Sequence, residues 1–301
     1  MFNYKKIFKT TKSRERILNI FRFISDETMI KIQYKIKTGR KLDLKNPQRF
    51  TEKLQWYKLN YRNPIMHKCV DKYLVREYVD EKGLSDILVP LYGKYDDVTD
   101  INFEDLPKQF VLKTTNGSGG LNVIVCQNKN ELDFKKIKEC LECKKINPQT
   151  GGREWAYYGL EPGIVVEKLL INKNNPKSGV NDYKIFCYNG KPEYIVVDVD
   201  RYIGHKRSFY DINWNNLHIG SDCLNCDCEI KRPDNLDEML KIASKLAGDF
   251  PYVRVDLYNV EGKIYFGELT FYPWSGYVQF EPDEFDYILG KKFDLLSVKN
   301  Q

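Results

Sequence analysis

The run FPYVRVDLYNVEGKIYFGELTFYPWSG, Phe250 to Gly276, constrains this chain more than any other stretch. Residues 252–258 and 263–271 are rich in β-branched and aromatic side chains, with a turn around Gly262 between them, which is the pattern of a β-hairpin. Side chains alternate between the faces of a strand. Arg254 and Asp256 therefore share one face of the first strand, and Glu268 and Thr270 share one face of the second. Val253, Val255 and Leu257 point the other way, into a core. With Arg254 opposite Glu268, residues 259–263 make a five-residue loop. Two carboxylates crowded on one side of a ribbon repel unless a cation sits between them. Oxygen ligands at this spacing suit Mg²⁺ with bound phosphates. A solvated hairpin face with a surface ion pair would show the same letters.

A chain of 301 residues can bury a real core and form two or three subdomains. No apolar run approaches the ~20 residues of a membrane span. The N-terminus, MFNYKKIFKTTKSRERILNIFRF, lacks the uninterrupted apolar stretch of a secretory signal. A cytoplasmic protein is expected, at the inner face of the membrane if this basic segment rests on anionic lipid. Ile17, Leu18, Phe21 and Ile24 form its apolar stripe, and packing on its own domain is the other use of such a helix. The net charge of +6 suits a phosphate-rich ligand. No zinc-finger, helix-turn-helix or RNP-type motif supports a nucleic-acid partner. Cys140 and Cys143 form CxxC, and Cys223, Cys226 and Cys228 form CxxCxC. Together they could hold zinc, but no short knuckle pattern joins them, and reduced thiols explain them as well. Cys69, Cys126 and Cys187 sit in apolar patterns expected of a core.

Along the chain, residues 12–37 read as one or two helices ending at Thr38-Gly39-Arg40. A capped helix opens at Thr51, and residues 65–82 read as one further helix with Val70, Leu74 and Tyr78 on a common face. The stretch LVPLYGKY is a short strand and turn. Residues 109–115 and 122–128 form a hairpin around a glycine-rich loop, and 131–146 a charged helix. The stretch GIVVEKLL is a strand, residues 182–201 two strands around Asn189-Gly190, and 235–249 a helix. A helical third followed by mixed strands and helices is an α+β pattern.

Lys113 precedes Asn116-Gly117-Ser118-Gly119-Gly120. Glycines let backbone amides approach phosphate oxygens, and a nearby lysine adds charge. A merely flexible hairpin loop has the same composition. Glu167 and Lys168, taken alone, are exposed residues of a strand, and Asp71-Lys72 a solvated pair within a helix.

Several ordered segments together carry a family resemblance between about residues 40 and 290: NPQRFTEKLQWYKLNYRNP, VDKYLVREYV, FVLKTTNGSGG, GREW, NDYKIFCYNGKP, HKRSFYDINWN and RVDLYNVEGKIYFGELTFYPWSG. The chain resembles the ATP-grasp superfamily, and within it the TupA-like branch associated with cell-surface polysaccharide and teichuronopeptide genes. The resemblance implies an ATP-grasp fold, two α+β subdomains clamping a nucleotide, with a helical N-terminal segment. The divisions expected are a basic amphipathic N-terminus (1–40), a helical subdomain (41–105), a small subdomain with the glycine-rich loop (106–170) and a C-terminal subdomain with the metal-binding hairpin (171–301).

It also implies roles for residues. Lys72 and Lys113 contact nucleotide phosphates and adenine, and Gly117, Ser118, Gly119 and Gly120 close over the β- and γ-phosphates. Glu167, Lys168 and Leu169 match the segment that reads adenine. Lys184 sits near the phosphates, Arg254 steadies the transferring phosphoryl group, and Asp256 and Glu268 ligate Mg²⁺. Thr270, the third metal-site residue, stands where the superfamily usually has Asn; its oxygen can still ligate or position water for a second metal. The implied reaction makes an acylphosphate from a carboxylate and ATP, then an amide from an amine. The acceptor is sought at Asp200-Arg201, at His205, Lys206 and Arg207, and at Trp214; a solvated loop is the other reading of the basic run. A sugar or polyol kinase on the same fold and a polysaccharide glycosyltransferase are the alternatives. For the latter, Asp198-Val199-Asp200 has the DxD letters but no Rossmann-like strand before it.

Overall fold

Two tight turns set the frame of the larger sheet. Asn189 and Gly190, at φ 47° and 75°, and Glu261 and Gly262, at φ 52° and 83°, take the left-handed conformations that match a two-residue hairpin to the twist of its strands. The structure is a computed structural model that describes residues 18, 20–21, 23–117, 122–141, 151–173, 175–226, 229–295 and 298.

In chain order the helices and strands begin with α1 (Asp26–Thr38), α2 (Phe50–Asn60), α3 (Ile65–Val70), α4 (Val75–Glu81) and β1 (Leu91–Tyr95). There follow β2 (Phe110–Thr114), β3 (Val123–Cys126), α5 (Phe134–Leu141) and β4 (Ile164–Lys168). Then come β5 (Asp182–Tyr188), β6 (Lys191–Val199), β7 (Lys206–Asp211), β8 (Leu224–Asn225) and α6 (Leu236–Ala247). The strands β9 (Tyr252–Val260) and β10 (Lys263–Thr270) and the helix α7 (Glu284–Lys292) complete the order. A four-stranded antiparallel sheet runs β1-β4-β2-β3, and a six-stranded sheet runs β10-β9-β5-β6-β7-β8.

Each sheet has its own apolar core. Phe110, Leu112, Ile164 and Val166 of the smaller sheet pack with Ile137 and Leu141 of α5. Ile185, Cys187, Val253, Val255 and Leu257 of the larger sheet pack with Leu246 of α6 and with Phe50, Leu54 and Tyr57 of α2. Residues 41–105 are thus shared: β1 is an edge of the smaller sheet, while α2 to α4 help build the core of the larger one. The boundary expected at residue 105 does not separate these bodies.

Three local expectations are corrected. The helix expected over 65–82 breaks at Asp71, whose carboxylate accepts the amides of Tyr73 and Leu74 at 2.8 and 2.9 Å while the Lys72 amide leaves to bond the Thr115 carbonyl at 2.9 Å. Leu74 is exposed rather than on a buried face, because the break turns it out. The helix expected to open at Thr51 starts at Phe50, with the Glu52 carboxylate accepting the Gln48 and Arg49 amides at 2.9 and 3.1 Å. Thr51 is instead fully buried and donates its hydroxyl to Asp286 at 2.7 Å.

Candidate active site

The hairpin β9–β10 has a register different from the one its letters suggest. Arg254 pairs with Thr270 and Asp256 with Glu268, because the turn has only two residues and the ladder shifts at Gly267. A Cβ at Gly267 would lie 2.9 Å from the Asp256 carbonyl oxygen, so the bulge needs a glycine there. The four side chains still meet on one face. Arg254 donates to both Asp256 oxygens at 2.7 and 2.6 Å, to Glu268 at 3.3 Å and to the Thr270 hydroxyl at 3.1 Å. Thr270 donates to Glu268 at 3.2 Å.

Strand β5 extends this row across the sheet. Lys184 lies opposite Asp256, and its ammonium meets Asp182, Asp256 at 3.0 Å and Asp198 of β6 at 3.8 Å. Arg201 donates to Asp182 at 3.0 Å. Arg207 of β7 forks onto both oxygens of Asp198 at 2.6 and 3.2 Å and reaches Asp222 at 2.5 Å. His205 Nε2 stands 3.2 Å from Asp198. Burial alone would discharge Lys184, but Asp182 and Asp256 outweigh it and hold the ammonium above its ordinary range. Burial pushes the Asp256 carboxyl up despite Arg254 and Lys184. Burial also opposes charge on Glu268, but Lys72, Arg254 and Lys184 overcome it and bring its carboxyl below the usual range.

A small pocket between the smaller sheet and β10 is lined by Lys72, Arg76, Lys113, Glu167, Phe266 and Gly267, among others, and Lys72 lies close enough to Glu268 to feel its charge. Lys113 of β2 pairs with Glu167 of β4 at 2.7 Å, and Arg76 of α4 approaches the other Glu167 oxygen at 3.6 Å. Glu167 is buried, not exposed, because β4 is an inner strand and Lys113 lies on the neighbouring one. Asp71, likewise, is a buried cap and not half of a solvated pair. Lys72 reaches the Gly117 carbonyl from the helix break; burial lowers its pKa, with Glu268 pulling the other way. Lys168 is exposed, and its amide is spent on the Pro90 carbonyl at 2.9 Å; Leu169 follows it out of the strand.

Ser118, Gly119, Gly120, Cys143, Cys228 and residues 1–17 lie outside the described residues. Cys69, Cys126 and Cys187 are buried, and Cys140, Cys223 and Cys226 are half-buried. Among the described residues, no group of three or more His, Cys, Asp and Glu side chains is arranged to hold a metal. Trp214 does packing work, stacked on Tyr210 at 4.3 Å with its indole N–H donated to the Ile230 carbonyl.

Asp182, Asp198, Arg76 and Trp274 were not legible as site residues. Asp182 had a signal, since it shares a strand face with Lys184 two residues on. Trp274 had none. It sits with Ser275 in consecutive left-handed conformations, φ 50° and 54°, beneath the Arg207 guanidinium at 5.2 Å. Such backbone survives only where its surroundings over-determine it. Here Gln55 donates to the Ser275 and Gly276 carbonyls, and Lys58 donates to Ser275 and to Gly152.

A family model described as TupA-like ATPgrasp matches residues 52–294. The chain belongs to this TupA-like ATP-grasp family. Membership makes this an ATP-dependent enzyme of the ATP-grasp class. No curated protein matches the chain. Among solved structures, a D-alanine–D-alanine ligase from Helicobacter pylori is similar at 15% identity and TM-score 0.47, over 83% of this chain and 68% of that one. The D-alanine–D-alanine ligase from Bacillus anthracis complexed with ATP gives 16% and 0.47, over 77% and 66%. An L-amino acid ligase from Bacillus licheniformis gives 16% and 0.42, over 69% and 44%. Likeness at this level says nothing of substrate.

The TupA-like site fits Mg²⁺ and ATP chemically. Asp256 and Glu268 sit directly across a strand pair, offering hard oxygen ligands on one face. A divalent ion held by two carboxylates completes its shell with phosphate oxygens and water, as Mg²⁺ does in phosphoryl-transfer sites. Asp198, the first letter of the DxD, is buried with both its oxygens on Arg207.

Proposed function

We propose that this TupA-like protein joins a carboxylate to an amine, and that the carboxylate belongs to a cell-surface polysaccharide or its precursor, such as a uronic acid. One observation carries the reaction: a single sheet face gathers Arg254, Asp256, Glu268 and Lys184, and Lys72 and Lys113 line the pocket beside it. Lysines and an arginine interleaved with carboxylates suit a triphosphate with its metal better than they suit a neutral ligand.

In this reading Asp256 and Glu268 hold Mg²⁺, with Thr270 orienting Glu268 through its hydroxyl. Bound Mg²⁺ neutralises charge between the phosphates and orients them. Lys72 and Lys113 hold phosphate oxygens, and the Lys168 carbonyl and Leu169 amide meet the nucleobase. Arg254 and Lys184 stabilise charge on the phosphoryl group as it passes to the substrate carboxylate. The carboxylate oxygen bonds to phosphorus and the bond to ADP breaks; the amine then bonds to the acyl carbon and phosphate leaves, with a proton lost from nitrogen. Arg201, His205 and Arg207 border the same face, whereas Lys206 alternates with Arg207 along β7 and projects from its other side; a basic edge suits an anionic sugar. The glycan half of the reading rests on the gene association of the family branch.

The test is ADP release by the full chain with Mg-ATP, offered uronates with amino acids or amines. Release needing both partners, and lowered on the order of a thousandfold by Asp256→Asn, is expected. Mg-ATP at a hundred times its Kd should also add about 2.7 kcal/mol of stability, weakened in that variant. Full activity in Asp256→Asn sinks the metal assignment. A stable phosphorylated product without an amine points to a kinase, and stabilisation by a UDP-sugar alone points to a glycosyltransferase.

A further inference from the structure

The first 41 residues hold twelve Lys and Arg against three Asp and Glu, a net +9, so the rest of the chain is −3. Against this charge stands an apolar surface. Phe23 is 81% exposed, Ile20 68%, and Ile32 and Ile36, one turn apart on α1, 42% each; Phe21 is exposed beside them. Lys31 and Lys35 are exposed on the same outward side of α1. The opposite face of α1 is already used: Ile30 and Tyr34 are buried against Leu42 and Tyr277. The outward stripe is therefore not a core face left over by the helix period.

The segment before α1 is also held in place. Arg153, buried and in a left-handed conformation at φ 54°, donates to the Phe21 carbonyl at 3.0 Å, to the Ile24 carbonyl at 3.1 Å and to Asp26 at 2.7 Å. Tyr158 adds a hydrogen bond to Asp26 at 3.1 Å, and Gln33 of α1 donates to the Gly151 carbonyl at 3.0 Å. The backbone is thus pinned to the body while Phe21 and Phe23 stay outside. Single exposed apolar residues need no explanation, but five within seventeen residues, Ile20, Phe21, Phe23, Ile32 and Ile36, on a pinned backbone do.

We propose that this face, Ile20, Phe21, Phe23, Ile32 and Ile36 with Lys31 and Lys35, docks the enzyme on an anionic lipid bilayer. Aromatic and aliphatic side chains enter the headgroup–acyl boundary, and lysines on the same side stay at phosphate level. Charge decides for a bilayer over a protein groove: each basic residue near an anionic surface strengthens partitioning about fivefold. The docking is independent of the reaction proposed above.

The experiment is co-sedimentation of the full chain with vesicles of phosphatidylcholine alone or mixed with phosphatidylglycerol, at low and high salt. Expected are binding to the anionic vesicles only, loss at high salt, and a fall of at least about tenfold in Ile20→Ser/Phe23→Ser and in Lys31→Gln/Lys35→Gln. Unchanged thermal unfolding of both variants excludes a folding defect. Equal binding to neutral vesicles, binding retained in both variants, or no vesicle binding overturns the proposal, as does self-association or RNA binding abolished by the same substitutions.

Discussion

The two sheets handle charge differently. On the smaller sheet Lys113 has one carboxylate partner, Glu167, at 2.7 Å, and keeps about a quarter of its side chain open. On the larger sheet Arg254, Lys184 and Arg207 are buried in a closed set with Asp182, Asp198, Asp256 and Glu268, and most members touch two or more others. A phosphate arriving at Lys113 has one contact to replace. At Arg254 or Lys184 it meets cations already committed to carboxylates; in the proposed reading, Mg²⁺ on Asp256 and Glu268 would take over those carboxylates. Charges on the larger sheet should therefore support the fold, while those on the smaller sheet should matter mainly to the nucleotide.

Arg207→Ala gives the largest break. It removes the bidentate partner of Asp198, which is 2% exposed and keeps only Lys184 at 3.8 Å and His205 at 3.2 Å, and should cost about 3 kcal/mol in urea unfolding. Replacing Asp198 and Arg207 together by apolar residues should restore much of that loss; a double variant as unstable as the single one breaks the closed-set reading.

A smaller effect is expected at Lys58, which supports the strained turn below Arg207. Burial pushes its pKa down to about 7. Between about pH 7 and 10 the unfolded chain binds the proton that the folded state has shed, so this group makes stability rise with pH, by at most about 1.4 kcal/mol per unit. Below pH 7 both states are protonated and the slope vanishes. Lys58→Met should lose about 1–3 kcal/mol from the unpaired Gly152 and Ser275 carbonyls. Urea midpoints at pH 7 and 9.5 should show the gap between wild type and variant widening with pH; a constant gap refutes the lowered pKa of Lys58.

Lys113→Met should change stability least, by about 1 kcal/mol or less, since Arg76 still faces Glu167. Nucleotide affinity should fall about tenfold, the worth of one charge-assisted hydrogen bond, as read by isothermal titration. A large stability loss here would erase the contrast between the two sheets.

Legibility follows the same divide. Alternation over 252–258 put Arg254 and Asp256 on one face correctly, because side-chain period two is local. The partner of Arg254 was misjudged, because a two-residue turn plus a bulge at Gly267 depends on a close approach to Asp256 that no letter announces. Lys72 was placed within a helix, whereas the Asp71 cap and the Thr115 carbonyl break that helix and swing Lys72 to the pocket.

The sequence by itself determined the α+β character, most strands and helices, the turn at Asn189-Gly190, and the family. Those rest on periodicity, backbone preference and ordered motifs, all carried within short windows. Only the tertiary structure decided which charges neutralise which. Asp182, Asp198 and Arg207 come from three neighbouring strands, and Trp274 reaches them from a turn held by Gln55 and Lys58, more than 200 residues away in the chain. A buried charge is stabilised by whatever partner lies within a few ångströms. That distance is set by strand order and packing, not by neighbours in sequence.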